Sequence, residues 1–220
     1  MGEWVSVLGV LAIAFVVGIA IWIGQKRRKD LRTWAASKGF AFSPSRDRTF
    51  DNRYPEFRCL RRGHSRYAYN ISEGTWKTRP VTCFDYHYAT GSGKNRHDYH
   101  FSAVLIGSDI PLKALRIRPE GFLDKVTEFF GVDDIDFESA EFSRSFHVKA
   151  AEKRWAYDVL HQRTMEFLLG MPRFSIEFDE RDVLIWRTRR FKPEDFEQAI
   201  AVVEGILDRL PGYVIDQQKS

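Results

Sequence analysis

A chain of 220 residues that is 44% hydrophobic and holds 18 Phe has the material for a sizeable packed core, which excludes a disordered tail. Its two cysteines, Cys59 and Cys83, are too few for a disulfide scaffold. The net charge of +4 is unevenly spread, with residues 25–33 at +4, 34–118 at +8 and 119–220 at −7, but no nucleic-acid motif accompanies the basic half, so no nucleic-acid partner is expected.

Trp4 to Gly24 reads WVSVLGVLAIAFVVGIAIWIG, with Ser6 as its one polar side chain. At about 1.5 Å per residue the run covers roughly 30 Å, which predicts a transmembrane helix. Met1-Gly2-Glu3 lacks a basic leader region, and no small-x-small site precedes Gln25, which argues against a cleaved signal. Trp4 and Trp22 stand where interface anchors belong. Lys26, Arg27, Arg28, Lys29 and Arg32 after the run, against Glu3 before it, predict an outward N-terminus and a cytoplasmic domain. The lipid bilayer is therefore an expected partner, and the basic cluster should be drawn to anionic lipid. Ala14 and Gly18, four residues apart, offer a weak face for a homo-oligomer through the span. This divides the chain into a transmembrane anchor (1–24), a basic juxtamembrane segment with a short helix (25–42) and a soluble α+β domain (43–220).

Asp30 to Lys38 reads as a short helix with Leu31, Trp34 and Ala35 on one side, ended by Gly39. Residues 43–56, with Pro44 and Pro55, read as an irregular connection. Strands are expected at 57–61, 67–72, 79–88, 99–106 and 113–118, rich in Tyr, Phe, Val, Ile and Thr and punctuated by Gly and Pro. Phe84, Tyr86 and Tyr88 alternate on one face, and the sequence ATGSGKNRHD reads as a hairpin connection. A helix is expected over 121–130, a strand over 141–149, helices over 152–160 and 164–169, and a hairpin of strands 173–179 and 183–188. A C-terminal amphipathic helix begins at Pro193, with Glu194, Asp195 and Glu197 near its N-terminus and Phe196, Ala199, Ile200, Val203, Ile206, Leu207 and Leu210 in one stripe. The fold class that follows is α+β: a mainly antiparallel sheet with packed helices behind an N-terminal transmembrane helix.

Chemistry is sparse. Gly91-Ser-Gly-Lys94 lacks both the leading glycine and the trailing hydroxyl of a phosphate loop, since Tyr88 and Asn95 stand there, and it reads as a hairpin tip. His87, His97, Asp98 and His100 flank that tip, but alternation sends His97 and His100 to opposite faces, so no metal is expected. Cys83, Asp85 and His87 share one strand face and Cys59 lies near His64, yet spacing alone does not activate a thiol. No hydrolase, zinc-protease or dinucleotide motif is present, and no cofactor or catalytic residue is assigned.

The strand reading of Phe142-Ser-Arg-Ser-Phe-His-Val148 places Arg144 beside Phe142, Phe146 and Val148 on an inward face. A guanidinium there needs a carboxylate, and Asp158 and Glu166 on the following helices are the candidates for a buried ion pair. The segment Glu141–Val148, with Arg154-Trp-Ala-Tyr-Asp-Val-Leu160 and Met165-Glu-Phe-Leu-Leu169, resembles a group of uncharacterised bacterial proteins with one N-terminal span and a soluble domain. The resemblance covers roughly residues 130–190, rests on F-x-R-x-F-x-V, A-Y-D-x-L and M-E-x-L-L, and implies a bacterial inner-membrane setting with no activity to transfer.

The expected function is a membrane-anchored cytosolic binding or scaffolding module with a protein partner. The alternative is a tethered enzyme or small-ligand sensor using the Arg144 face or the Cys59, Cys83 and His87 region. A concave pocket with convergent polar groups would favour the alternative.

Overall fold

The computed structural model describes residues 2–121, 135 and 137–219, with the side chains of 2–10, 12, 13 and 219 outside that description. The expected helix over 121–130 falls almost wholly outside it. In chain order the elements are α1 (Gly2–Ser37), β1 (Ala41–Ser43), α2 (Phe50–Arg53), a 3-10 turn (Arg58–Arg61), β2 (His64–Trp76), β3 (Arg79–Thr90), a second 3-10 turn (Gly93–Asn95), β4 (His97–Gly107), β5 (Leu115–Pro119), α3 (Ala140–Ser143), β6 (Phe146–Ala150), α4 (Lys153–Val159), α5 (Gln162–Leu169), β7 (Ser175–Phe178), β8 (Asp182–Arg187), α6 (Pro193–Leu207) and α7 (Gly212–Lys219). Among the described residues eight strands form one sheet in the order β1-β2-β3-β4-β8-β7-β5-β6, antiparallel at every pairing.

Period-two alternation divides the core in two. Val81 and Cys83 of β3, Val104 and Ile106 of β4, and Val183 and Ile185 of β8 face Leu31 and Trp34 of α1 and the apolar stripe of α6; this is the helical face. Phe84 and Tyr86, Phe101 and Ala103, and Leu184 and Trp186 face Phe50, Phe57 and Leu60 from the connection between β1 and β2; this is the loop face. α6 starts as its sequence dictates. Pro193 occupies the first turn, and the Asp195 carboxylate accepts a hydrogen bond from the Lys192 backbone N–H at 2.9 Å. Trp34 joins α1 to α6 by stacking on Phe196 at 5.3 Å between ring centroids and donating its indole N–H to Glu197 at 2.9 Å.

Among the described residues no helix is long and apolar enough to cross a membrane, which corrects the expected N-terminal transmembrane helix and the single-pass membrane-protein reading built on it. The apolar run does not end as a separate element. It continues without a break through Lys26–Lys29 into residues that pack in the domain, with Leu31, Trp34 and Ala35 buried, and the helix ends where Gly39 takes φ +73°.

Two expected strands are also corrected. Residues 58–61 form a 3-10 turn that buries Cys59 and Leu60. Residues 140–143 form a helical turn, because the Ser139 side chain accepts from the Phe142 N–H at 3.3 Å and caps it. Side chains two apart in a helix diverge by about 200°, whereas in a strand they share a face. Phe142 therefore stays buried while Arg144 turns out to solvent, and the strand begins only at Phe146.

Candidate functional site

The helical face of β3 changes character along its length. After Val81 and Cys83 come Asp85 and His87; opposite them β4 supplies Ser102 and His100, and β2 supplies Tyr69 and Tyr67. Two irregularities in β2, between His64 and Tyr67 and between Tyr69 and Ser72, bracket the two tyrosines. Ser65 and Asn70 take positive φ at these bulges, and the second turns the Asn70 side chain onto Asp85.

Asp85 is fully buried and accepts four hydrogen bonds. Arg27 of α1 grips it bidentately, Nε to Oδ2 at 2.8 Å and Nη2 to Oδ1 at 2.5 Å; Asn70 Nδ2 adds a bond of 2.8 Å to Oδ2, and Ser102 Oγ one of 2.5 Å to Oδ1. Arg27 also donates from Nη1 to the Phe191 carbonyl at 2.8 Å, and the Phe191 N–H donates to Ser102 Oγ at 2.9 Å. Both lone-pair directions of each carboxylate oxygen are used, so Asp85 is a structural acceptor with no capacity left for proton transfer. The network ties α1, three strands and the segment before α6 together.

Beyond it lies a belt of rings. His87 stacks on Tyr67 at 4.5 Å, with Nδ1 2.9 Å from the Ser65 carbonyl and Nε2 2.7 Å from Asp98 Oδ1. Hydrogen bonds from Arg96 and then His87 hold the Asp98 carboxyl well below the usual range. Burial, and then the positive charge of Arg190, pushes His100 down to about 4, while burial and then Asp85 push the Tyr69 phenol up. At neutral pH a protonated phenol thus meets a neutral imidazole, and Tyr69 donates to His100 Nδ1 at 3.0 Å. Arg46 lies over Tyr67 and Arg190 over Tyr69.

A pocket of 410 Å³ opens beside this belt at the root of α1, between Trp22, Ile23, Lys26 and Leu31 on the helix and Arg190 and Pro193 on the segment leading into α6. Outward from the pocket α1 is bare: Phe15 is 70% exposed and Trp22 62%, with Leu11, Val16, Val17, Ile19, Ile21 and Ile23 also exposed.

The residues singled out from sequence are scattered. Arg144 is the exposed C-cap of α3; Asp158 accepts from Tyr213 Oη of α7 at 2.5 Å and Glu166 from Gln162 Nε2 at 2.9 Å, so the two acids expected to pair with Arg144 have other partners. Of the basic cluster, Arg27 points inward, whereas Lys26, Arg28, Lys29 and Arg32 are exposed; Arg32 covers Phe42 and Lys26 covers Trp22. Trp4 is part of α1, and its side chain lies outside the described set. Cys59 packs on the loop face and Cys83 on the helical face, and burial pushes both thiols up, so the sheet separates them. His64 bonds the Gly91 carbonyl at 2.8 Å, away from both thiols' cores. Among the described residues no group of His, Cys, Asp and Glu is arranged to hold a metal. Sequence reasoning passed over Arg27–Asp85, Asn70 and Ser102. The signal for them was Asp85 alternating between Cys83 and His87 on a strand, a carboxylate that burial obliges to find a cation.

No family model matches the chain, and no curated protein matches it. Among solved structures the chain is similar to the crystal structure of the mycobacterial trehalose monomycolate transport factor A, TtfA. The TM-score is 0.64 at 12% identity, over 82% of this chain and 92% of that one. At that identity the likeness is one of fold.

Proposed function

We propose that this chain is a non-catalytic binding or scaffolding module whose partner is a protein that encloses the outer part of α1. The observation that carries the reading is exposure on every side of that helix. Phe15, Val16 and Val17 are consecutive, hence about 100° apart, and all three are more than half exposed, as are Ile21, Trp22 and Ile23. A helix apolar all round belongs in an apolar enclosure, and an apolar surface of this extent marks an interaction site. The Arg27–Asp85 grip fixes the direction in which this arm leaves the sheet. The groups that the sequence offered for acid–base or nucleophilic chemistry at β3 and Cys59 already have partners or are buried: Asp85 has four donors, His87 is hydrogen-bonded at both nitrogens, and both thiols lie in the core. A fold shared with a protein described as a transport factor supports a binding role and assigns no cargo.

The test is photo-crosslinking in cells, with a benzophenone amino acid placed in turn at Phe15, Val16 and Ile21. Adducts to one and the same polypeptide from all three positions are expected. Absence of any polypeptide adduct, or adducts from one side only, would overturn the enclosing-partner reading.

A further inference from the structure

We propose that the pocket at the root of α1 binds a long-chain carboxylate, its head between Lys26 and Arg190 and its chain along the apolar face of the helix. The charge count selects the head. Arg27 borders the pocket, but its guanidinium is turned to Asp85 and its charge is already opposed. That leaves Lys26 and Arg190 against Asp30, a surplus of one positive charge suited to a monoanion. Both cations rest on rings, Lys26 Nζ 5.4 Å from the Trp22 centroid and the Arg190 guanidinium 5.9 Å from that of Tyr69, so they are partly positioned before any ligand arrives. Asp30, one turn beyond Lys26 on the same face, is exposed and can accept a hydrogen bond only from a protonated group, which disfavours a dianionic head in its neighbourhood.

The walls select the tail. Trp22, Ile23, Leu31 and Pro193 are apolar, and 410 Å³ lies within the usual range of small-molecule sites, about 300–1,000 Å³. Residues 15, 19, 22, 23 and 26 fall on one face of a helix with 3.6 residues per turn, so the apolar wall continues out of the pocket over Ile19 and Phe15, both exposed. From Lys26 to Phe15 this track is about 16 Å long, which accommodates an extended alkyl chain. Each methylene laid on it should raise affinity by up to about fourfold.

The alkyl track over Ile19 and Phe15 is open only where the enclosing partner is absent, so the ligand is tested on the purified chain and its failure leaves the partner reading untouched. The full chain in an uncharged maltoside detergent is titrated with carboxyl-13C-labelled palmitate and followed by NMR. We expect saturable one-site binding, affinity that falls in shorter homologues, and a loss of about tenfold or more in the double variant Lys26→Gln with Arg190→Gln, the worth of one charge-assisted hydrogen bond. Lys26→Arg should retain binding. Both positions are solvent-facing, and an unchanged unfolding midpoint in the double variant would confirm that the fold is intact. Palmitate binding that survives the double variant, displacement by hexadecanol as effective as by palmitate itself, or displacement by inorganic phosphate at matched concentration would each overturn the proposal. The first two outcomes would mean partition onto an apolar helix and the third a bare anion site.

Discussion

Arg27–Asp85 on the helical face and Arg116–Glu177 on the loop face are both arginine–carboxylate pairs in which a buried sheet carboxylate meets a partly buried arginine, yet they are completed to different degrees. Asp85 is 0% exposed and each of its four lone pairs has a donor, two from Arg27 of α1, one from Asn70 of β2 and one from Ser102 of β4. Arg116 and Glu177 face each other across neighbouring strands through a contact of 3.1 Å, and Arg116 Nε and Glu177 Oε1 lack hydrogen-bond partners among the described residues. The difference teaches that burial of an ion pair does not measure its worth. Desolvation disfavours both pairs, and only complete satisfaction of the remaining donors and acceptors turns such a pair into a joint.

The comparison breaks if removing Asp85 is harmless. Asp85→Ala leaves Arg27, Asn70 and Ser102 without their acceptor, and we expect the full chain to lose about 3–5 kcal/mol in chemical denaturation. A loss near zero would mean that the network is incidental.

Replacing both members of each pair sharpens it further. Arg116→Met with Glu177→Leu should leave stability unchanged or raise it by about 1–4 kcal/mol, as expected where two half-satisfied charges give way to apolar packing. The same treatment of Arg27→Met with Asp85→Leu should destabilise, because the Asn70 amide and Ser102 hydroxyl would stay buried at about 1–3 kcal/mol each. Equal responses in the two double variants, measured by denaturant midpoint, would erase the distinction.

A smaller effect tests how far the helical-face network extends. The folded state holds His100 at about 4, against about 6.5 in an unfolded chain, so the unfolded state takes up more protons between these values. Stability tied to His100 is whole above pH 6.5 and is lost as the pH falls towards 4. Allowing for solvent screening of this half-buried ring, the loss should reach at most about 2 kcal/mol. Carboxylates titrate in the same window, so the quantity to measure is the difference between the parent and His100→Gln at pH 7 and pH 4.5. Parallel curves would place His100 outside the network.

The smallest expected change is at Arg144, exposed at the end of α3, where Arg144→Ala should alter stability by under about 0.5 kcal/mol. A loss of several kcal/mol would restore a buried role.

The same residues show what sequence could and could not reveal. Alternation in 79–88 and 99–106 was legible because one face is continuously apolar, and α6 was legible from its proline, acids and stripe. Residues 141–144 misled because Phe, Ser and Arg fit a strand as well as a turn of helix, and the choice was made by one Ser139 cap that periodicity does not weigh. The Asp85 site was hidden for another reason. Its members come from positions 27, 70, 85 and 102, and β2 must bulge at Asn70 to complete it, so no local spacing records the group. The long apolar run misled most, because hydropathy cannot register that its helix continues into a domain and packs there.

The lengths of the strands carry one more consequence. The sheet tapers from 13, 12 and 11 residues in β2, β3 and β4 to three in β1 at one margin and five in β6 at the other, where Ile135 N–H already bonds the Val148 carbonyl. A short margin offers an incoming chain few free backbone groups to copy, and a margin already bridged offers fewer. Recruitment by adding a strand, a common way for sheets to capture extended peptides, is therefore poorly served at both ends. The same taper protects the protein from edge-to-edge association while it folds, a safeguard that a sheet of this width needs whatever its partner.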